Sequence, residues 1–149
     1  MTDAVAHRGP DAKGYYFDRS AGLGLRHRRL SILDLSAAGN QPFYSRDGRY
    51  IMVFNGEVFN FQELAIKYQI EQRTHSDSEV IIEAFAQKGM DAVQDFNGMF
   101  AIAIWDTKEN ELHLIRDRFG VKPLLYYWDG KAFAWGSELK SLLQLGIPH

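Results

Sequence analysis

The sequence predicts an α+β domain in which two antiparallel sheets pack face to face, with helices outside. Three observations predict it. Residues 99–105 are apolar at every position, so a strand there must be covered on both faces. Strand-like runs follow one another through short turns, as antiparallel neighbours do. The order along the chain is strands, helices, strands and then a helix, which suits segregated α+β architecture.

Residues 1–6 are too short for a stable helix of their own and read as the end of a longer element. His7-Arg8-Gly9-Pro10-Asp11 reads as a turn, because Gly-Pro punctuates the chain. Residues 14–17 and 23–33 are candidate strands, and 34–42 is a loop of small residues. Residues 50–54 form a strand between Gly48 and Gly56. Residues 61–68 have helical composition. Ser76-Asp77-Ser78-Glu79 fits a capping box ahead of Val80, Ile81, Ala84 and Phe85, so a helix runs to about Lys88 and stops at Gly89.

Residues 90–96 suggest a short helix. Residues 99–105 place Met99, Ala101, Ala103 and Trp105 on one face and Phe100, Ile102 and Ile104 on the other. Residues 112–115 pair with that strand through a polar turn. Residues 124–128 and 131–135 form a hairpin around a two-residue Asp129-Gly130 turn. Residues 137–145 close as a helix.

The chain has 149 residues, 46% apolar and 24% charged, which suits one domain with a sizeable core. A formal net charge of -2 and a pI near 6.2 argue against a nucleic-acid partner. No apolar run approaches the ~18 residues of a membrane span. The first ten residues are polar, so no secretory leader is expected and the cytoplasm is the expected location. The five histidines have no ligand spacing, and no metal is expected. There is no cysteine, which leaves no disulfide, thiolate ligand or thiol nucleophile among these residues.

Four segments carry a family resemblance. They are His7-Arg8-Gly9-Pro10-Asp11; Arg28-Arg29-Leu30-Ser31-Ile32, continuing through Asp34 to Gln41-Pro42; Asn55-Gly56-Glu57-Val58-Phe59-Asn60, with Ser76-Asp77-Ser78-Glu79 downstream; and Arg116-Asp117-Arg118-Phe119-Gly120-Val121-Lys122-Pro123-Leu124, ending in Tyr126-Tyr127. In order and spacing they resemble the class II glutamine amidotransferase domain of asparagine synthetases, over nearly the whole chain. The resemblance implies a four-layer αββα N-terminal-nucleophile hydrolase sandwich.

The implied activity is hydrolysis of glutamine, whose ammonia passes to a synthetase domain that amidates aspartate with ATP and Mg. No cofactor is implied for this domain itself. Its ligand would be glutamine. By resemblance, the Asn55 side-chain amide and the Gly56 backbone N–H form an oxyanion hole, a role that needs preorganised donors. The pair Asn-Gly alone would as readily be a turn. Arg29 matches the cation for the glutamine α-carboxylate, although residues 26–29 also describe a solvated basic strand. Asp77, with Glu57, matches the partner of the α-ammonium, and a carboxylate also suits the start of a helix. Leu30, Ile32 and Leu33 match positions that supply pocket wall or backbone contacts, and they could equally be core. Arg8 and Asp11 receive no chemical step. The Arg116-Asp117-Arg118 cluster reads as fold-determining polar packing or as a solvated turn.

The family begins with Met-Cys-Gly-Ile, and its cysteine is the nucleophile. Residues 1–149 therefore read as an incomplete domain lacking its first strand, inactive alone. Thr2 aligns with a helix tail and is not expected to replace the cysteine. A missing strand would leave a sheet edge open to self-association. A non-catalytic glutamine- or partner-binding relative, and a family member with another acceptor, are the alternatives.

Overall fold

A computed structural model describes residues 12–29 and 40–144. The chain enters through a hairpin of β1 (Ala12–Asp18) and β2 (Leu23–Arg29), paired from Asp18↔Leu23 to Ala12↔Arg29. Asp18 builds its turn by accepting hydrogen bonds from the Ser20 and Ala21 N–H groups and the Ser20 hydroxyl. Next come β3 (Phe43–Tyr44) and β4 (Tyr50–Val58), then helices α1 (Phe61–Lys67), α2 (Asp77–Lys88) and α3 (Met90–Val93). β5 (Gly98–Asp106) and β6 (Glu111–Arg116) follow, then β7 (Leu125–Trp128), β8 (Phe133–Gly136) and α4 (Leu139–Leu143).

The central sheet has the order β3-β4-β5-β6, all antiparallel. Strand alternation sends its two faces into two cores. Tyr50, Met52, Phe54, Val58, Phe100, Ile102 and Ile104 meet Val80, Ile81, Ala84 and Phe85 of α2. Ile51, Val53, Ala103 and Trp105 meet Leu25 of β2, with Trp135 of β8 against the same cluster. The doubly apolar strand expected at residues 99–105 is thus covered on both sides. Each fully buried large side chain, such as Phe85 or Ile102, contributes roughly 1.5–3 kcal/mol. The second layer consists of the β1–β2 and β7–β8 hairpins, two separate two-stranded sheets among the described residues, with α4 against the latter.

Three local expectations are corrected. β4 does not stop at Gly56 but runs to Val58, because Gly56 adopts φ 137 inside the strand and stays paired opposite Phe100. The β7–β8 connection is longer than the two-residue Asp129-Gly130 turn, since the last pair is Trp128↔Phe133. There the Asp129 carboxylate accepts the Lys131 and Ala132 N–H groups and holds a wider loop. The capping box is also altered. Ser76 caps α2 through the Ser78 N–H, but Glu79 reaches past Ser76 to Arg73 and Thr74.

Asp117 settles the reading of the fourth motif as fold-determining. It is buried and accepts N–H groups from Phe100, Phe119, Val121 and Lys122. The flanking arginines turn to carbonyls: Arg116 to Gly120 and Lys122, Arg118 to Gln94 and Phe96.

Candidate functional site

The site is built on the edge of β4 that faces away from β5, where the strand runs past its short pairing with β3. At its two ends β4 bonds to the β5 side through odd-numbered residues: Arg49 O accepts from Thr107 N, and Phe59 N donates to Asn97 O. Alternation therefore turns the N–H and C=O of even-numbered residues to the opposite edge. There Tyr50 bonds Ser45 beside β3. Beyond β3, side chains cap the edge. Phe54 N–H donates to Gln41 Oε1 at 2.5 Å, and Phe54 O lies 3.0 Å from His27 Nε2. Val58 N–H donates to Asp77 Oδ2 at 3.0 Å.

Gly56 lies between these capped positions. Its N–H points to the same edge and has no partner among the described residues. A side chain is excluded here twice over: φ is 137, and a Cβ would fall against the Met99 carbonyl. Gly98 repeats the arrangement across the ladder, where a Cβ would meet the Glu57 carbonyl. The two glycines bring β4 and β5 together at this end of the sheet.

Asn55 and Glu57 alternate onto the face that carries Ile51 and Val53, toward the hairpin layer. Asn55 Nδ2 donates to Ser137 Oγ at 3.3 Å, joining β4 to the segment between β8 and α4. Asp77 is the first residue of α2 and is only 5% exposed. Burial pushes its carboxyl up to about 6; the Val58 and Ser78 N–H groups oppose the rise and the Glu57 charge adds to it. Asp77 is therefore a carboxylate that gains from a nearby cation.

The structure thus brings Asn55, Gly56, Glu57 and Asp77 to one end of β4. Arg29 ends β2, two positions beyond His27, whose ring meets Phe54 O of that strand. Leu30 and Ile32 lie outside the described residues, as do Thr2, Arg8 and Asp11. Sequence reasoning gave no role to Ser137 or Gly98, and carried Gln41 only as the end of the second motif and His27 only as part of a basic run. Gly98 left a local signal too, a glycine opening an otherwise apolar strand. Among the described residues no cluster of three or more His, Asp or Glu is placed to hold a metal. A cavity of about 290 Å³, lined by Met90, Val93, Phe100, Leu114, Arg116 and Arg118 among others, lies between α3 and β6, and neither Asn55 nor Asp77 lines it.

Layered antiparallel sheets with helices outside, and a strand-edge N–H without a partner among the described residues near a buried carboxylate, define an α+β sandwich with a candidate site at the end of β4. The fold is shared with the solved glutamine phosphoribosylpyrophosphate amidotransferase of Bacillus subtilis, at TM-score 0.69 and 21% identity over 83% of this chain and 29% of that one. The described layers, α+β with antiparallel sheets, are compatible with the sandwich expected from the sequence.

The chain belongs to the glutamine amidotransferase domain family, whose model matches residues 1–148. It is 45% identical over 150 residues to asparagine synthetase [glutamine-hydrolyzing] 2 of Bacillus subtilis, covering 100% of this chain and 19% of that protein. It is 43% identical over 159 residues to a putative asparagine synthetase [glutamine-hydrolyzing] 2 of Methanocaldococcus jannaschii, covering 96% of this chain and 31% of that protein. The chain therefore spans less than a third of the length of either relative.

Proposed function

We propose that these 149 residues form the glutamine-binding part of a glutaminase domain whose ammonia feeds ATP-dependent amidation of aspartate. The observation that supports this reading is the Gly56 N–H, without a partner among the described residues, set between capped neighbours and near a buried carboxylate.

An amide carbonyl under attack becomes tetrahedral and its oxygen gains charge, which fixed donors stabilise. Gly56 N–H and Asn55 Nδ2 are those donors in this reading. Asp77, helped by Glu57, takes the glutamine ammonium, and Arg29 takes its carboxylate in a planar fork. Leu30 and Ile32 line the pocket. The residues contain no cysteine, so a thiol nucleophile has to come from outside them. ATP and Mg would be held by a separate synthetase domain, the proposed partner within a longer protein. The cytoplasm is the proposed location.

Calorimetric titration of the chain with L-glutamine tests the reading. One site is expected at pH 7.5, with binding weakening as pH falls through about 6, because protonated Asp77 no longer attracts an ammonium. D-glutamine should bind far more weakly. No heat from L-glutamine at either pH, or equal affinity for both enantiomers, would refute it.

A further inference from the structure

We propose that Glu79 is a positioning residue whose buried carboxylate latches Arg73 and Thr74 and so holds Asp77 against the open end of β4. Glu79 is fully buried. Its Oε2 accepts Arg73 N at 2.9 Å, Thr74 N at 2.8 Å and Thr74 Oγ1 at 3.0 Å, while Oε1 accepts Arg73 Nε at 2.8 Å. The links continue toward the site. Thr74 Oγ1 accepts Ser76 N at 3.2 Å, Ser76 caps α2, and the next residue, Asp77, reaches Val58 N–H.

The first turn of α2 is thus fastened on two sides, to the preceding loop by Glu79 and to β4 by Asp77. Burying a carboxylate is a poor way to gain stability, because apolar side chains of similar volume often do as well. What four convergent donors add is one fixed geometry for residues 73–77. Arg73 is about half exposed, so its ion pair is the most screened contact of the set, whereas the backbone N–H groups and the Thr74 hydroxyl are tied to the loop itself.

The role assigned to Asp77 rests on the proposed glutamine site, but the latch can be tested without a ligand. The probe is the Val58 amide, which reports the Asp77 contact directly. In Glu79→Gln the side-chain NH2 confronts N–H donors. Val58 hydrogen exchange should speed up about tenfold relative to Ile104 in the core, and glutamine affinity should fall by a similar factor. Arg73→Ala keeps the backbone donors and should lower Tm while leaving Val58 exchange and glutamine affinity as they were.

If Glu79→Gln does not fold, Thr74→Val removes the hydroxyl link to Ser76 and should raise Val58 exchange in the same direction. The latch is overturned if the folded variant read out, Glu79→Gln or otherwise Thr74→Val, leaves Val58 exchange unchanged relative to Ile104, or if Arg73→Ala accelerates Val58 as much as that variant. If wild-type chain binds no glutamine while Val58 responds as expected, the functional reading fails and the latch stands.

Discussion

The Asp77 carboxylate accepts the Val58 amide hydrogen at 3.0 Å, tying the first turn of α2 to the strand that carries Asn55 and Gly56. Burial holds the Asp77 acid up to about 6, against the pull of the Val58 and Ser78 N–H groups. Between the ordinary aspartate value and about 6, the folded state binds more proton than the unfolded chain. Stability from this group is therefore full at low pH and is lost as pH rises through that window. Asp77→Asn keeps an acceptor for Val58 and removes the titration. The stability of Asp77→Asn relative to wild type should increase by about 2–3 kcal/mol from pH 4 to pH 7. Urea unfolding at four pH values measures it, and a pH-independent difference would refute the coupling.

The Asp106 carboxylate behaves in the opposite sense. Arg49 grips it through Nε at 2.9 Å and a second guanidinium nitrogen at 2.6 Å, and the Lys108 and Glu109 N–H groups add to it. The Arg49 contact holds it down to about 2. Its stability is present above the ordinary aspartate value and is lost as pH falls toward about 2. Asp106→Asn should remove about 2 kcal/mol at pH 7, and less in high salt because Arg49 is partly exposed. Acid titration of Tm should show a shallower fall in the variant between pH 4 and pH 2.

Much of the fold was legible because its signals are local. Val80, Ile81, Ala84 and Phe85 repeat with helical spacing, and residues 99–105 are apolar at every step, so α2 and β5 declare themselves. The site was legible only in part. Asn55-Gly56 has the composition of a turn, and a strand passes through it only because Met99, 43 positions along, closes over the missing Cβ. Ser137 meets Asn55 across 82 positions, a separation that no sequence window reads. Glu79 stood at the expected place for a capping box, yet it accepts from Arg73 and Thr74, and the Ser76 N–H donates to Thr74 Oγ1 instead.

The paired glycines predict a ranking. Gly56→Ala meets both a positive φ and the Met99 carbonyl, Gly98→Ala meets the Glu57 carbonyl and the Val58 Cα without a positive φ, and Gly130→Ala meets a φ of 89 in open space. Losses should run Gly56 above Gly98 above Gly130, from roughly 3 down to about 1 kcal/mol. Denaturant midpoints at constant m-value would establish the order. If Gly98→Ala proved neutral, the two strands would not be constrained to their close approach.

The last prediction concerns chemistry. With no cysteine among 149 residues, the purified chain has no thiol to attack an amide, so it should release no glutamate from glutamine above a heat-killed control, and thiol alkylation should change nothing. A longer form of the same protein that supplies an N-terminal cysteine should release glutamate. In that form Asn55→Ala should lower kcat by about 10²–10³ with KM little changed, since an oxyanion donor acts in the transition state and not on the bound amide. Ser137→Ala should cost less than Asn55→Ala, because it removes the acceptor that orients the amide and leaves the amide itself. Substantial turnover by the 149-residue chain alone would place the nucleophile on another side chain and end this reading. A loss confined to KM in Asn55→Ala would make that residue a binding group with no part in stabilising the oxyanion.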